Sequence, residues 1–326
     1  MTAREERSDP MPDISLGRLR GAGAGGSARS RKQTPERAGG GAASVASGIL
    51  ASRVLGFVRE AALAYYFGVG AHADVFRTAL RGPNILQNLL GEQTLSAAFI
   101  PIYSRLLAEG KEREAGRFAG AIFGLLLAVA GVMAGAGVLL ARPLVAILSP
   151  GYLEDAAKVA AGTMTVDRFP LAVTAVKILF PMTGILVLSA WALGVLNSHR
   201  RFFLPYFAPV LWNATILAAL WEGARLWHAG PGASVGALDH LLIAACFGAL
   251  LGGLLQFLVQ LPLVVKVMRG FRLSFSLRVA GVSEALRASL PLVLGRGVVQ
   301  LTGFLDLWLA SLLAAGAQGS LGWAQT

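Results

Sequence analysis

The chain has 326 residues, of which 55% are hydrophobic and only 14% charged, with a mean hydropathy of +0.62. A water-soluble globular enzyme of ordinary composition is less apolar than this, so much of the surface must face lipid. The formal charge of +11 then has a membrane explanation and calls for no nucleic-acid partner.

Residues 1–42 hold eight Lys or Arg, five Asp or Glu and many Gly and Ser without an apolar run, which reads as a disordered basic cytoplasmic tail. The tail has no hydrophobic core of a signal peptide, so the spans themselves direct insertion. A formal G-x-G-x-x-G at Gly21, Gly23 and Gly26 lacks the strand and helix a dinucleotide site needs, and reads as linker. Residues 43–326 form the membrane domain. Seven spans are predicted, at about 44–68, 74–103, 117–140, 174–197, 203–222, 238–265 and 289–314. With the tail inside, the inner loops carry eleven Lys or Arg against five outside, which favours a cytoplasmic N-terminus. The glycine pairs Gly120/Gly124, Gly131/Gly135 and Gly248/Gly252 are expected as close-packing faces of helices. Asn213-Ala-Thr215 matches a glycosylation sequon but lies within a span. The single cysteine, Cys246, excludes an internal disulfide, and His72, His199, His228 and His240 lack metal-ligand spacing. No cofactor, metal or catalytic constellation is expected, and the chain does not read as an enzyme.

Charge within the spans is the informative feature. Span one contains Arg53, Arg59 and Glu60; span two Asp74, Arg77, Arg81 and Glu92; span seven Arg296 and Asp306. A central Arg or Asp facing lipid costs about 2.5–3.5 kcal/mol, so these side chains are expected to line something polar. At 100° per residue Asp74, Arg81 and Glu92 share one stripe of span two, with Asn88 beside it, and Arg53 and Glu60 share a face of span one. A water-filled cavity with surplus arginine follows, suited to a phosphate or pyrophosphate that the guanidinium grips with two hydrogen bonds. The bland alternative is snorkelling at span ends, or ion pairs such as Arg296 with Asp306 or Glu284 that only fix packing. Gly82-Pro83 is expected to interrupt span two beside the stripe, as broken helices do in transporters.

The stretch Ser52-Arg53-Val54-Leu55-Gly56-Phe57-Val58-Arg59-Glu60, then Phe67-Gly68-Val69-Gly70, Ala73-Asp74-Val75-Phe76, Pro83-Asn84, and Gly91-Glu92 through Ser96-Ala97-Ala98-Phe99-Ile100-Pro101, resembles the MurJ (MviN) family of the MOP exporter superfamily. Weaker echoes follow in Ser149-Pro150-Gly151-Tyr152, Ala208-Pro209 with Asn213, and Gln260-Leu261-Pro262. The resemblance implies an all-α polytopic membrane fold of about fourteen helices in two halves. It implies a flippase for lipid II, the undecaprenyl-pyrophosphate-linked peptidoglycan precursor, working by alternating access in the bacterial cytoplasmic (inner) membrane. Partners implied are lipid II, membrane lipids and the cell-wall synthesis machinery. Arg53, Arg59 and Asp74 fall on positions the family associates with its charged central cavity, and Arg81 falls where a lysine is usual. With Glu60, Asn84 and Glu92 these are the candidate substrate-binding residues. Gln87-Asn88 stands where the family often has a basic pair, and the chain stops near the expected start of an eighth helix. It is therefore expected to be the N-terminal half, about seven helices, apparently truncated. Alternatives are another MOP transporter, such as an oligosaccharide-lipid flippase or drug exporter, or a cell-wall scaffold that does not transport.

Overall fold

The computed structural model describes residues 36–324, apart from the side chains of residues 36–44, 92, 93 and 323. The glycine motif and most of the tail lie outside the described residues, although the first helix starts at Glu36, inside the segment assigned to the tail. The described residues form twelve α-helices and one 3₁₀ turn, without strands: α1 (Glu36–Phe67), α2 (Ala71–Leu90), α3 (Glu92–Ala108), α4 (Glu112–Leu139), α5 (Ala141–Leu148), the turn Pro150–Glu154, α6 (Asp155–Ala160), α7 (Arg168–Ser198), α8 (Phe203–Leu226), α9 (Val235–Leu258), α10 (Leu261–Val267), α11 (Val282–Ser311) and α12 (Ala317–Ala324). Five are long and apolar enough to cross a membrane: α4, α7, α8, α9 with α10, and α11. α1 and the α2–α3 pair, which carry most of the intramembrane charge, account for the other two of the seven expected crossings.

The helices are arranged around α7, which is apolar all round and packs against α2, α3, α4 and α9. One core cluster gathers Leu179 and Met182 of α7 with Ile216 of α8 and Leu241 and Ala249 of α9. A second, toward the other end of α7, stacks Phe99 of α3 on Phe118 of α4, 5.4 Å between ring centroids, beside Trp191. The indole N–H of Trp191 donates to the Ala119 carbonyl (3.2 Å), so its polar edge is satisfied inside the core.

Two expectations need correction. Span two is broken at Gly91, not at Gly82-Pro83. Pro83 forfeits one backbone bond but stays within α2, and Gly82 leaves room for the Phe180 ring, which a Cβ would meet at 2.9 Å. At Gly91 the N–H closes on the Gln87 carbonyl (2.7 Å) and the next helix starts afresh. The glycine pairs also divide. Gly248 and Gly252 pack against α8 as expected, whereas Gly131 and Gly135 face open space. Gly120 and Gly124, with Gly116, seat a non-helical strip, residues 268–276, whose Arg269, Arg272 and Ser274 carbonyls lie where a Cβ would be.

Candidate functional site

The charged residues of α1 and α2 do not share one cavity; apart from Arg53 they sort into two cavities, tied together by the ion pairs of Glu60, and a buried lock. The larger cavity, about 350 Å³, lies between α1, α2, α7, α8 and α9, and its polar lining includes Arg59, Gln87, Ser189, Asn213 and Gln256. Gly56, one turn before Arg59 on α1, lines the same cavity beside the amide of Asn213. The Arg59 Nη1 donates to Asn213 Oδ1 (2.9 Å), and the guanidinium lies 4.8 Å over the Trp212 ring. Asn213 is oriented in turn by donating to the carbonyls of Ser52 (3.3 Å) and Pro209 (3.2 Å). The Arg59 Nε–H is buried without a hydrogen-bond partner.

Glu60 joins this cavity to the second. Its two carboxylate oxygens accept from Arg59 and from Arg77, one each, so a single acid sits between two arginines. The second cavity, about 100 Å³, lies between α2, α11 and α12 and is lined by Arg77, Arg81, Asn84 and Asp306 among others. Gly303 of α11 and Gly322 of α12 leave the space that the Arg81 and Arg77 guanidinium groups occupy. Arg81 also carries a buried Nε–H without a partner. Three arginines against Glu60 and Asp306 leave the pair of cavities positive, which favours an anion.

Asp74 departs from the expected stripe. It is 0% exposed and lines neither cavity. Its Oδ2 accepts from Arg168 Nη1 (3.0 Å) and the Gly316 N–H (2.7 Å), and its Oδ1 from the Gly319 N–H (2.7 Å). Arg168, 2% exposed, also grips Asp155 with Nε (2.6 Å) and Nη2 (3.0 Å) and lies 4.3 Å over the Tyr152 ring. Two carboxylates on one guanidinium leave a surplus negative charge, and the free backbone N–H groups at the start of α12 take it up. Around them Thr78, Ser149, Tyr152 and Gln318 close a buried hydrogen-bond network, and burial pushes the Tyr152 phenol well above its ordinary pKa. The cluster fastens α2, the α5–α7 connection and α12 to one another.

Of the other candidates, Arg53 is exposed on the outer side of α1 among Leu50, Val54 and Phe57, so the face it was expected to share with Glu60 does not bring it to either cavity. The Glu92 side chain lies outside the described residues, and the break at Gly91 separates its helix from that of Asp74 and Arg81. Glu284, offered above as a partner for Arg296, pairs instead with Arg105 (2.9 Å). Sequence reasoning missed Asn213, Trp212 and Arg168 as partners. Polar Asn213 in an apolar span was a usable signal; Arg168, outside the predicted spans, gave none.

A family model described as "Lipid II flippase MurJ" matches residues 63–326. The lipid II flippase MurJ of Burkholderia cenocepacia is 35% identical over 275 residues, 82% of this chain and 49% of that protein. Among solved structures, lipid II flippase MurJ in an inward closed conformation superposes with a TM-score of 0.65 at 21% identity, covering 86% of this chain and 53% of that one. A MOP superfamily transporter from Pyrococcus furiosus superposes with a TM-score of 0.55 at 16% identity, covering 80% and 52%. The chain spans about half the length of the curated relatives it matches.

Proposed function

The chain belongs to the lipid II flippase MurJ family, and from that premise we propose that it is the N-terminal lobe of a transporter that moves lipid II across the bacterial cytoplasmic membrane. The N-terminus and the basic loops face the cytoplasm, and the chain does no covalent chemistry. Arg59, Arg77 and Arg81 draw the pyrophosphate into the paired cavities while the polyprenyl tail stays in the bilayer. Glu60, held between Arg59 and Arg77, keeps the arginines apart and yields one of them when the phosphate oxygens arrive. Gln87 in the larger cavity and Asn84 in the smaller offer uncharged hydrogen bonds to the head group. The lock around Asp74 holds α12 against α2 in one conformation, and alternating access requires that it open as the two lobes rock. Arg53, on the outer side of α1, meets the head group only once a second lobe faces that side.

The observation that carries this reading is the buried, half-satisfied Arg59: its Nη atoms are bonded while its Nε–H points at no acceptor. A guanidinium with a spare buried donor in a polar cavity gains most from an oxyanion. The test is binding of lipid II to the purified chain in detergent. Arg59→Gln is expected to weaken it at least about tenfold, or about 1.4 kcal/mol, with the helical circular dichroism unchanged. Unchanged affinity in that variant, or equal affinity of the wild type for a neutral polyprenol, would move the substrate away from a pyrophosphate.

A further inference from the structure

The strip between α10 and α11 turns two kinds of side chain outward. Leu273, Phe275 and Leu277 are 51%, 57% and 57% exposed, and Arg269, Arg272 and Arg278 stand exposed beside them. Arg269 pairs with Glu112 (3.2 Å), while Arg272 and Arg278 have no acidic partner among the described residues. A loose loop would fold such apolar side chains away from water. This one is held in place. Its carbonyls rest on the Gly116–Gly120–Gly124 groove of α4, the Ser274 N–H donates to the Gly120 carbonyl (3.4 Å), and the Ser274 and Ser276 hydroxyls accept from the N–H groups of Ser276 and Arg278 (3.2 Å each). At its start Phe271 packs edge-on to Phe123, 6.1 Å between centroids.

The depth of the strip says what it meets. α4 has 28 residues, about 42 Å of helix for ~30 Å of hydrocarbon, and its charges are confined to Glu112–Arg117. The first turns of α4, which seat the strip, therefore stand in the headgroup layer and at its inner edge. At this end of the molecule residues 105–117 and 266–287 carry nine Lys or Arg against four Asp or Glu. Apolar side chains at that level enter the acyl boundary, and arginines beside them reach phosphate oxygens without leaving the interface.

We propose that residues 269–278 form a binding surface for anionic phospholipid headgroups, with Arg272 and Arg278 on the phosphates and Phe275 and Leu277 in the acyl boundary. The strip itself bears no acid, so anionic lipid is preferred over zwitterionic lipid. The rigid seating means the surface is present before lipid arrives. Native mass spectrometry of the purified chain, titrated in detergent with dioleoyl phosphatidylglycerol or dioleoyl phosphatidylcholine, tests it. The wild type is expected to retain more phosphatidylglycerol than phosphatidylcholine. Arg272→Gln with Arg278→Gln should cut phosphatidylglycerol occupancy at least threefold and leave phosphatidylcholine unchanged; Arg225→Gln, which alters an exposed arginine in the last turn of α8, should change neither. Both arginines are exposed, so the double variant keeps its fold, checked by unchanged elution and helicity. Undiminished phosphatidylglycerol in the double variant overturns the proposal and leaves the face to a protein partner. Equal retention of the two lipids by the wild type overturns it as well.

Discussion

Arg168 shows how much a single side chain can decide. It holds two buried carboxylates, Asp74 and Asp155, from elements far apart in the chain. Its removal leaves both acids uncompensated in a site with no exposed surface, a loss of about 3–5 kcal/mol. Arg168→Ala should therefore lower the thermal midpoint of the detergent-solubilised chain steeply, whereas Arg53→Ala, at an exposed position, should change stability by under about 0.5 kcal/mol. A melt in which the two variants behave alike would show the buried cluster to be energetically idle. His199, just past the end of α7, accepts or donates a bond with Tyr103 (3.0 Å), and burial followed by the nearby Arg201 holds its pKa below the usual 6.5. A depressed imidazole favours the neutral folded form, so its contribution is present above pH 6.5 and is lost as pH falls through that value toward the folded pKa. His199→Gln should flatten the melting temperature between pH 7 and 5 relative to the wild type. The charge of Asp74 was legible in the sequence, but its partner lies 94 residues away at the start of α7, and no local pattern links them.

At the level of elements, glycine does three different things on similar spacing. On α4 the first three glycines admit a backbone strip, on α9 two admit a neighbouring helix, and Gly131 and Gly135 admit nothing. Gly120→Leu should cost about 1–3 kcal/mol, because its side chain meets the Arg272 backbone and not a movable side chain. Gly131→Ala, in open space, should be neutral or stabilising by up to about 1 kcal/mol; thermal unfolding of the two variants side by side checks both. Periodicity found these helices and their small faces, but what fills a groove depends on which segment arrives there. The same limit explains the misplaced break in span two. A wheel at 100° per residue carried its phase from Asp74 to Glu92 through Gly91, where the structure ends one helix and begins another.

For the whole molecule the seven crossings put the α3–α4 turn and the strip at one end and the α4–α7 and α8–α9 connections at the other. Cys246 is fully buried and serves as a silent background for labelling. With a membrane-impermeant maleimide, Lys111→Cys and Arg272→Cys should label from the same side, and Ala161→Cys and Arg225→Cys only from the opposite side. Labelling of Ala161→Cys together with Lys111→Cys would remove α4 as a crossing. If the N-terminus is cytoplasmic, as the basic loops favour, the first pair is silent in intact cells and reacts after lysis.

Composition and hydropathy alone determined that this is a helical membrane protein, because apolar runs of span length have no stable alternative to helices in lipid. The motif-like segments around Arg59 and Asp74 were enough to point to the family. Tertiary structure alone decided which charges share water, which lock helices together and which face outward. Those outcomes turn on partners such as Asn213, Arg168 and the strip on α4, brought from distant parts of the chain by packing. A side chain's charge is written in the sequence; its surroundings exist only once the helices have packed.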